Sequence, residues 1–205
     1  MGIYSNLIFP RLLDLSMSSN NLMDLRRDLL ATVEGDVLEI GFGTGLNLSC
    51  YPETVQKITA IDPNPGMNRL AKKRSTKARV SVEIKQLNGE NLPFAAQTFD
   101  SVVSTWTLCS IPLVEQALAE VYRVLKPEGR FFFIEHGLSP EKSVQVWQNR
   151  LNPLQNRLAD GCNLNRDMEQ LITQANFSLV QLEKFYGEEI PKTLGYFYKG
   201  IATPL

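Results

Sequence analysis

Three glycines spaced two residues apart, Gly41, Gly43 and Gly45, follow an apolar run at residues 37–40. Without Cβ atoms, such a loop turns tightly at the end of a strand and lets backbone N–H groups face a nucleotide-type ligand. A dinucleotide fingerprint would need a third glycine at position 46, where Leu46 stands, and a phosphate-binding loop would end in Gly-Lys-Ser/Thr. The loop therefore favours a nucleoside ligand of another kind.

Two acidic residues accompany this loop. Glu39 stands two residues before Gly41, and Asp62 ends the next apolar run, 21 residues after Gly41. The combined pattern resembles the first two motifs of class I S-adenosylmethionine (SAM) methyltransferases. In that family the glycine loop lies against the methionine part of SAM, and the later acid holds both ribose hydroxyls. A carboxylate suits this task because it only accepts, so two neighbouring hydroxyls can donate to it together.

The segment Asn88-Gly89-Glu90 resembles the family's adenine-recognition segment, which usually begins Gly-Asp-Ala. Asn88 stands at the Asp position, and its amide oxygen can still accept from the adenine amino group. Tyr4 is a candidate contact to the carboxylate of SAM. The resemblance thus implies a cofactor site formed by Tyr4, Glu39, Gly41, Phe42, Gly43, Gly45, Asp62, Pro63, Met67, Asn88, Gly89, Glu90 and Thr105.

A narrower resemblance concerns the methyl acceptor. Leu108-Cys109-Ser110, Glu135-His136 and the segment 160–164 look like parts of the vertebrate methyltransferase-like proteins that methylate alkyl thiols. Those relatives carry a membrane-anchoring N-terminal helix, whereas this chain begins with a more polar segment. An Asp-Gly turn followed by a helix cap is the alternative interpretation of residues 160–163. The resemblance implies an acceptor pocket lined by Trp106, Cys109, His136, Asp160, Cys162 and Asn163.

Methyl transfer from a sulfonium depends mainly on aligning the nucleophile. Phe42 and Trp106 either attract the sulfonium through cation–π interactions or form only the pocket wall. A thiol with a pKa of about 8.5 is already partly ionised at neutral pH, whereas a phenol needs a base. His136, the only histidine, is the candidate general base, and a pocket-lining or capping role is its alternative. Cysteines 50, 109 and 162 show no paired metal spacing, so we predict no metal site.

The elements that must position these residues alternate between strands and helices. Strands are predicted at residues 37–40, 57–61, 80–87, 98–105 and 130–135, and Pro153 is expected to interrupt a helical stretch at 143–158. Two strand-like runs, at 177–185 and 194–202, finish the chain, and the resemblance implies that they are two closing strands, the last inserted antiparallel. We predict an α/β, Rossmann-like class I methyltransferase fold with a seven-stranded, mostly parallel sheet and helices on both faces.

Residues 1–34 precede the first strand and have helical spacing. In similar small-molecule methyltransferases this segment folds over the cofactor. We therefore predict one domain, 1–205, with an N-terminal helical lid at 1–34 and an α/β core at 35–205; a plain packing layer is the alternative to the lid. The basic residues that follow Leu70 are interpreted as a solvated helix end and not as a lipid or RNA patch: Lys72, Lys73, Arg74, Lys77 and Arg79.

Composition limits the remaining possibilities. The 205 residues are 43% hydrophobic and 21% charged, as in a soluble globular domain. A net charge of −1 gives no global field for nucleic acid. No apolar run reaches the ~18 residues of a membrane span. We predict a cytoplasmic monomer or homodimer without nucleic acid and without stable membrane insertion, with peripheral membrane contact left open.

The predicted activity is transfer of the SAM methyl group to a small-molecule nucleophile, with a thiol as the first candidate and S-adenosylhomocysteine as the second product. Quinone-ring and phospholipid-headgroup methylation are alternatives within the same chemistry. A non-catalytic protein that binds SAM or S-adenosylhomocysteine is the alternative outside it. Leu46 argues against an NAD-dependent oxidoreductase.

Overall fold

The computed structural model of the protein describes residues 4–205. It contains a short π-helical turn (Tyr4–Ile8) and a 3-10 turn (Leu46–Ser49). The helices are α1 (Phe9–Met17), α2 (Asn20–Leu30), α3 (Pro65–Ser75), α4 (Val114–Val124), α5 (Lys142–Leu158) and α6 (Met168–Gln174). The strands are β1 (Gly35–Ile40), β2 (Val55–Ile61), β3 (Ser81–Lys85), β4 (Phe99–Thr105), β5 (Leu125–His136), β6 (Phe177–Tyr186) and β7 (Tyr196–Pro204).

The seven strands form one sheet in the order β3-β2-β1-β4-β5-β7-β6. Strands β1 to β5 pair in parallel, and β7 lies antiparallel between β5 and β6. This confirms the predicted fold, including the antiparallel closing strand. The chain leaves β1 towards β2 and returns to its other side as β4. In open α/β sheets, ligands bind at such a reversal, outside the carboxyl ends of the strands.

Two apolar layers cover the two faces of the sheet, and β5 shows how the sequence builds them. Its neighbouring side chains point to opposite faces, so Phe131 and Phe133 join one layer while Phe132 joins the other. All three are fully buried. The first layer includes Leu118 of α4, and the second includes Leu30 of α2. Helices therefore flank both faces, as predicted.

Pro153 does not interrupt the helical stretch that contains it. Helix α5 runs without a break from Lys142 to Leu158 with Pro153 inside it. Among residues 4–205, no helix has both the length and the apolar composition needed to cross a membrane.

The N-terminal segment packs directly on α3. The Asn64 side-chain amide donates to the Ser5 carbonyl at 3.0 Å. A Cβ atom on Gly66 would lie 2.1 Å from the Asn6 carbonyl oxygen, so only glycine allows this approach. Residues 1–3 of the predicted lid lie outside the described residues.

Candidate active site

A cavity of about 890 Å³ lies at the carboxyl ends of the parallel strands. This volume falls within the range of small-molecule sites. Three of the predicted site residues, Gly45, Cys109 and Asn163, do not line the cavity. All the others line it: Tyr4, Glu39, Gly41, Phe42, Gly43, Asp62, Pro63, Met67, Asn88, Gly89, Glu90, Thr105, Trp106, His136, Asp160 and Cys162.

Asp62 and the glycine loop are in direct contact where they line the cavity. One Asp62 carboxylate oxygen accepts the Gly43 N–H at 2.9 Å, and the other accepts the Asn64 N–H at 2.8 Å. Burial raises the pKa of Asp62 to about 6, although these two N–H donors oppose the rise. The predicted proximity of the acid and the loop is therefore present in the structure.

The three glycines of the loop have different surroundings. Gly41 has φ +69°, and a Cβ there would lie 2.0 Å from the Thr107 hydroxyl oxygen. Gly43 has φ +57°, and the nearest atom to its Cβ would be the Gly41 carbonyl oxygen at 3.8 Å. Gly45 has φ +81° and packs behind the Phe42 ring. Gly43 is thus the member of the loop whose missing side chain leaves room in the cavity.

A buried polar network lies behind the loop and includes residues that the sequence analysis missed. Glu39 accepts from the Asn47 amide at 2.8 Å and from the Tyr51 hydroxyl at 2.6 Å. Arg26 donates to the Asn47 side-chain oxygen at 2.8 Å and to the Thr105 hydroxyl at 3.0 Å. The available signal was a cation within the apolar stripe of α2, where Arg26 is only 4% exposed.

The burial of Glu39 predicts how the stability of the protein depends on pH. Burial raises its pKa to about 7 from an ordinary 4.5, although the Tyr51 and Asn47 donors oppose the rise. Between those two values the folded state binds more protons than the unfolded state, so acidification stabilises the fold. From pH 8 to pH 5.5, we expect the free energy of unfolding of the ligand-free protein to rise by roughly 2 kcal/mol relative to Glu39→Gln.

Denaturant unfolding of both proteins across this pH range measures that difference. Only the difference between the two proteins is informative, because every other titrating group is common to both. Parallel pH profiles of wild type and Glu39→Gln would mean that Glu39 does not titrate in this window.

The segment predicted to recognise adenine, Asn88, Gly89 and Glu90, lines the cavity. Asn88 is exposed, and a Cβ on Gly89 would lie 3.0 Å from an Ile40 methyl carbon. One Glu90 carboxylate oxygen accepts the Leu113 N–H at 2.8 Å. Glu90 thereby fixes the chain just before α4.

Arg74 connects α1 to the glycine loop. It donates to the Thr44 carbonyl at 2.8 Å and forms an ion pair with Asp14 of α1, also at 2.8 Å. Asp14 in turn accepts from the Thr44 hydroxyl at 2.5 Å. The other four members of the basic group, Lys72, Lys73, Lys77 and Arg79, are exposed, as expected for a solvated helix end.

The loop after β4 is held by Glu135, which is completely buried. One Glu135 oxygen accepts from the Ser104 hydroxyl at 2.8 Å and from the backbone N–H groups of Thr107 and Leu108 at 3.0 Å each. The other accepts the Cys109 N–H at 3.2 Å. Burial raises the pKa of Glu135, and the backbone donors oppose it. In the Glu135-His136 pair, Glu135 therefore fixes the loop while the half-buried His136 lines the cavity.

Two cysteines and the histidine, Cys109, Cys162 and His136, lie close together beside the cavity. The Sγ atoms of Cys109 and Cys162 lie 3.6 Å apart, and each lies 3.9 Å from His136 Nδ1. Cys109 is completely buried and does not line the cavity. A hydrogen bond between the two thiols, followed by burial, raises the pKa of Cys109. The same bond lowers the pKa of Cys162, the thiol that lines the cavity.

Residues 160–163 form a turn packed against the loop after β4. Asp160 and Gly161 have φ +48° and +96°. Asn163 donates its backbone N–H and its side-chain amide to the Cys109 carbonyl, both at 2.9 Å. The alternative interpretation was half right: the Asp-Gly turn exists, but the cap of α6 is Asp167, which accepts from Gln170 N–H.

The predicted carboxylate contact, Tyr4, lies at the mouth of the cavity. Its hydroxyl donates to the Leu158 carbonyl at 3.0 Å. Nearby, the Ser5 hydroxyl donates to Asp160 at 3.3 Å. The N-terminal turn is therefore attached to the end of α5 and to Asp160 as well as to α3.

Known proteins are similar to this chain in sequence and in fold. A family model described as a methyltransferase domain matches residues 38–133. The thiol S-methyltransferase TMT1B of Homo sapiens is 34% identical over 190 residues, which cover 86% of this chain and 78% of that protein. The chain belongs to the SAM-dependent methyltransferases. The Rattus norvegicus thiol S-methyltransferase TMT1B is 39% identical over 163 residues, 77% of this chain.

The match to the rat relative spans 66% of that protein, slightly less than two thirds of its length. The solved structure of YcgJ from Bacillus subtilis superposes on this methyltransferase with a TM-score of 0.65 at 19% identity, covering 88% of this chain and 94% of that chain. This similarity concerns the fold. Together the comparisons confirm the predicted family and its resemblance to thiol methyltransferases.

The family implies SAM, and two features of this methyltransferase fit that cofactor. Gly43 leaves space where a side chain would enter the cavity. Among the described residues, Arg26 Nε and Trp106 Nε1 are buried donors without an acceptor, and both residues line the cavity. A ligand carboxylate would satisfy such donors. The Arg26 guanidinium lies 4.6 Å from the Trp106 ring centroid, so Trp106 already forms a cation–π contact within the protein.

Proposed function

We propose that this protein transfers the methyl group of SAM to a small thiol. The observation that carries the proposal is one cavity lined both by Gly43 and Asp62, which follow β1 and β2, and by Cys162 and His136, the last residue of β5. The names of the human and rat relatives, both thiol S-methyltransferases, support a thiol acceptor. A pocket lined by sulfur and imidazole also suits a soft, weakly hydrated nucleophile.

SAM would supply a methyl group on a sulfonium. The acceptor thiol would lose its proton to His136, the candidate base, and from there to water. Its sulfur would form the new S–CH₃ bond while the sulfonium C–S bond breaks with its electron pair left on the sulfur of S-adenosylhomocysteine. Asp62 would accept from the two ribose hydroxyls, and Asn88 from the adenine amino group. Arg26 would pair with the carboxylate, with Tyr4 as the further contact predicted from the sequence. Because each group holds a different part of the cofactor, the methyl group is aimed along the cavity.

The N-terminal segment would exclude water from this reaction. Phe9, Leu12 and Leu13 of α1 line the cavity, and the Asp14–Arg74 ion pair holds α1 against the glycine loop. This arrangement supports the predicted lid at residues 1–34.

Three buried free cysteines suit a reducing compartment such as the cytoplasm. A monomer or homodimer, with peripheral membrane contact left open, remains our expectation for the assembly.

Methyl transfer from tritium-labelled SAM tests the proposal. The acceptors are a panel of alkyl and aryl thiols, a quinol and phosphatidylethanolamine vesicles, and the product is identified by chromatography. We expect label in thiol products only. Label in the quinol or the lipid but in no thiol would show that the acceptor is not a thiol and would identify the acceptor class instead. Calorimetric SAM binding without any product would favour a non-catalytic binding protein.

His136→Ala is expected to lower turnover at least about 10-fold while changing SAM affinity less than about threefold. His136 ends β5, whereas Asp62 follows β2, which lies three strands away in the sheet. Single-turnover methylation gives the first quantity and calorimetry the second. Unchanged activity at every pH would remove His136 from the reaction.

A further inference from the structure

We propose that Cys109, His136 and Cys162 form a zinc site whose fourth coordination position faces the acceptor end of the cavity. The second half of the inference, that the sulfur of the methyl acceptor takes this position, rests on the proposed thiol methylation. The sequence predicted no metal because no two of these residues are closely spaced. The fold brings together residues separated by 27 and 26 positions.

The distances between the three ligand atoms match one face of a zinc tetrahedron. Zinc–sulfur bonds of about 2.3 Å and zinc–nitrogen bonds of about 2.05 Å at tetrahedral angles give edges of about 3.8 Å between sulfurs and about 3.6 Å between sulfur and nitrogen. The observed separations are 3.6 Å between the sulfurs and 3.9 Å from each sulfur to Nδ1. An ion can therefore contact all three atoms with shifts of only a few tenths of an ångström.

The three ligands are held by separate rigid segments. The Cys109 backbone is fixed by Glu135 at its N–H and by Asn163 at its carbonyl. A Cβ on Gly161, the residue before Cys162, would lie 2.9 Å from the Ser110 carbonyl oxygen, so this turn packs tightly on the Cys109 loop. His136 ends β5. Such prior positioning lowers the entropic cost of binding an ion.

The ligand chemistry selects a thiophilic cation. Two thiolates and one neutral imidazole neutralise a divalent charge, and this set is typical of zinc in place of magnesium or calcium. Zinc sites with three protein ligands keep a fourth position for water or substrate. Because Cys162 and His136 line the cavity while the fully buried Cys109 does not, the fourth position would point into the cavity.

Coordination would supply the acceptor as a thiolate. The thiol binds zinc through sulfur, its proton passes to water, and the bound sulfur is aimed at the methyl group. Zinc keeps its oxidation state throughout. The methylated product is a neutral thioether, which is a weaker zinc ligand than a thiolate, so it leaves. With Nδ1 bound to zinc, His136 would hold the metal and would not act as a base.

Metal binding by the full chain tests the site without any turnover. The metal-depleted protein, kept reduced with a phosphine, is titrated with Zn²⁺ against a chromogenic chelator and separately with Co²⁺. We expect one equivalent of either metal, thiolate-to-cobalt charge-transfer bands and tetrahedral d–d bands. Cys162→Ser and His136→Ala should each weaken zinc affinity at least about 100-fold. Less than one equivalent at micromolar metal, or cobalt spectra without thiolate bands, would overturn the site.

Cys50→Ser is the matched control. Cys50 is also a buried free cysteine, but it belongs to the apolar layer on the other face of the sheet. It should bind zinc as the wild type does, and an equal loss in this variant would mean that the ion binds elsewhere. SAM affinity, measured for each variant, shows that a ligand variant is folded.

The two proposals can fail separately. One equivalent of tightly bound zinc without product from any thiol would keep the metal site and overturn the proposed function. Thiol methylation at an unchanged rate after zinc removal would keep the function and overturn the metal-bound acceptor. If the reduced protein binds no zinc, and Cys109 and Cys162 form a disulfide when the protein is oxidised, the pair is a redox site and the metal site is overturned.

Discussion

Asp62→Ala is expected to weaken SAM binding about 100-fold. Asp62 is buried, and its carboxylate lies at the mouth of the glycine loop. Hydrogen bonds to a charged acceptor contribute about 1.5–3 kcal/mol each, so losing both ribose contacts costs roughly 3 kcal/mol after partial replacement by water. Titration calorimetry at pH 7.5 measures the dissociation constant directly.

Asp62→Asn removes the negative charge of the side chain but keeps its size and shape, so it separates the two contributions to SAM binding. The amide keeps one acceptor, so an intermediate loss is expected, about 10-fold. Glu53→Gln removes a carboxylate that is 95% exposed and serves as the charge-matched control, for which no change is expected. An Asp62→Ala variant that binds SAM as tightly as the wild type would refute the ribose assignment.

The pH dependence of SAM affinity gives an independent check on Asp62. Since burial raises its pKa to about 6 in the free protein, the carboxylate needed for the ribose is progressively protonated below that pH. SAM affinity is therefore expected to fall as the pH drops from 7 to 5, and to fall less steeply in Asp62→Asn. Equal slopes would assign the titration to another group.

The sequence was sufficient to predict the parallel strands of the sheet and the part of the cavity lining that follows them. Apolar runs ending in Gly41, Asp62 and Thr105 predict parallel strands whose carboxyl ends meet, and the structure contains this arrangement. The antiparallel insertion of the last strand depended on resemblance, because β6 has many exposed positions with weak alternation and β7 is buried along most of its length. Pro153 was misleading because proline signals a helix break, yet α5 continues through it.

Side chains that act through tertiary contacts were beyond the sequence. Arg26 and Arg74 look like ordinary helix cations, and only the packed structure shows that one enters the cavity and the other joins α1 to the glycine loop. The Cys109–His136–Cys162 cluster was even harder to predict from the sequence, because all three residues come together only through tertiary contacts. Its members follow different elements, so no local spacing could reveal that their ligand atoms lie within 4.8 Å of one another.

Gly43→Ala and Gly41→Ala form a matched pair. They distinguish a glycine that leaves space for the cofactor from a glycine that is needed for packing within the protein. Both glycines have positive φ, so alanine costs about 1–2 kcal/mol of backbone strain at either position. At Gly43 the new methyl group meets no protein atom within 3.8 Å, whereas at Gly41 it would lie 2.0 Å from the Thr107 hydroxyl oxygen.

For Gly43→Ala we expect a fall in Tm of only about 2–8 °C but a loss of SAM affinity of at least about 10-fold, because the methyl group enters the cofactor space. Gly41→Ala should lose a further 1–3 kcal/mol or so of stability through overpacking against Thr107. Differential scanning fluorimetry with and without SAM measures both effects. Full SAM affinity in Gly43→Ala would place the cofactor away from this loop, because the added methyl group can clash only with a ligand that lies against Gly43.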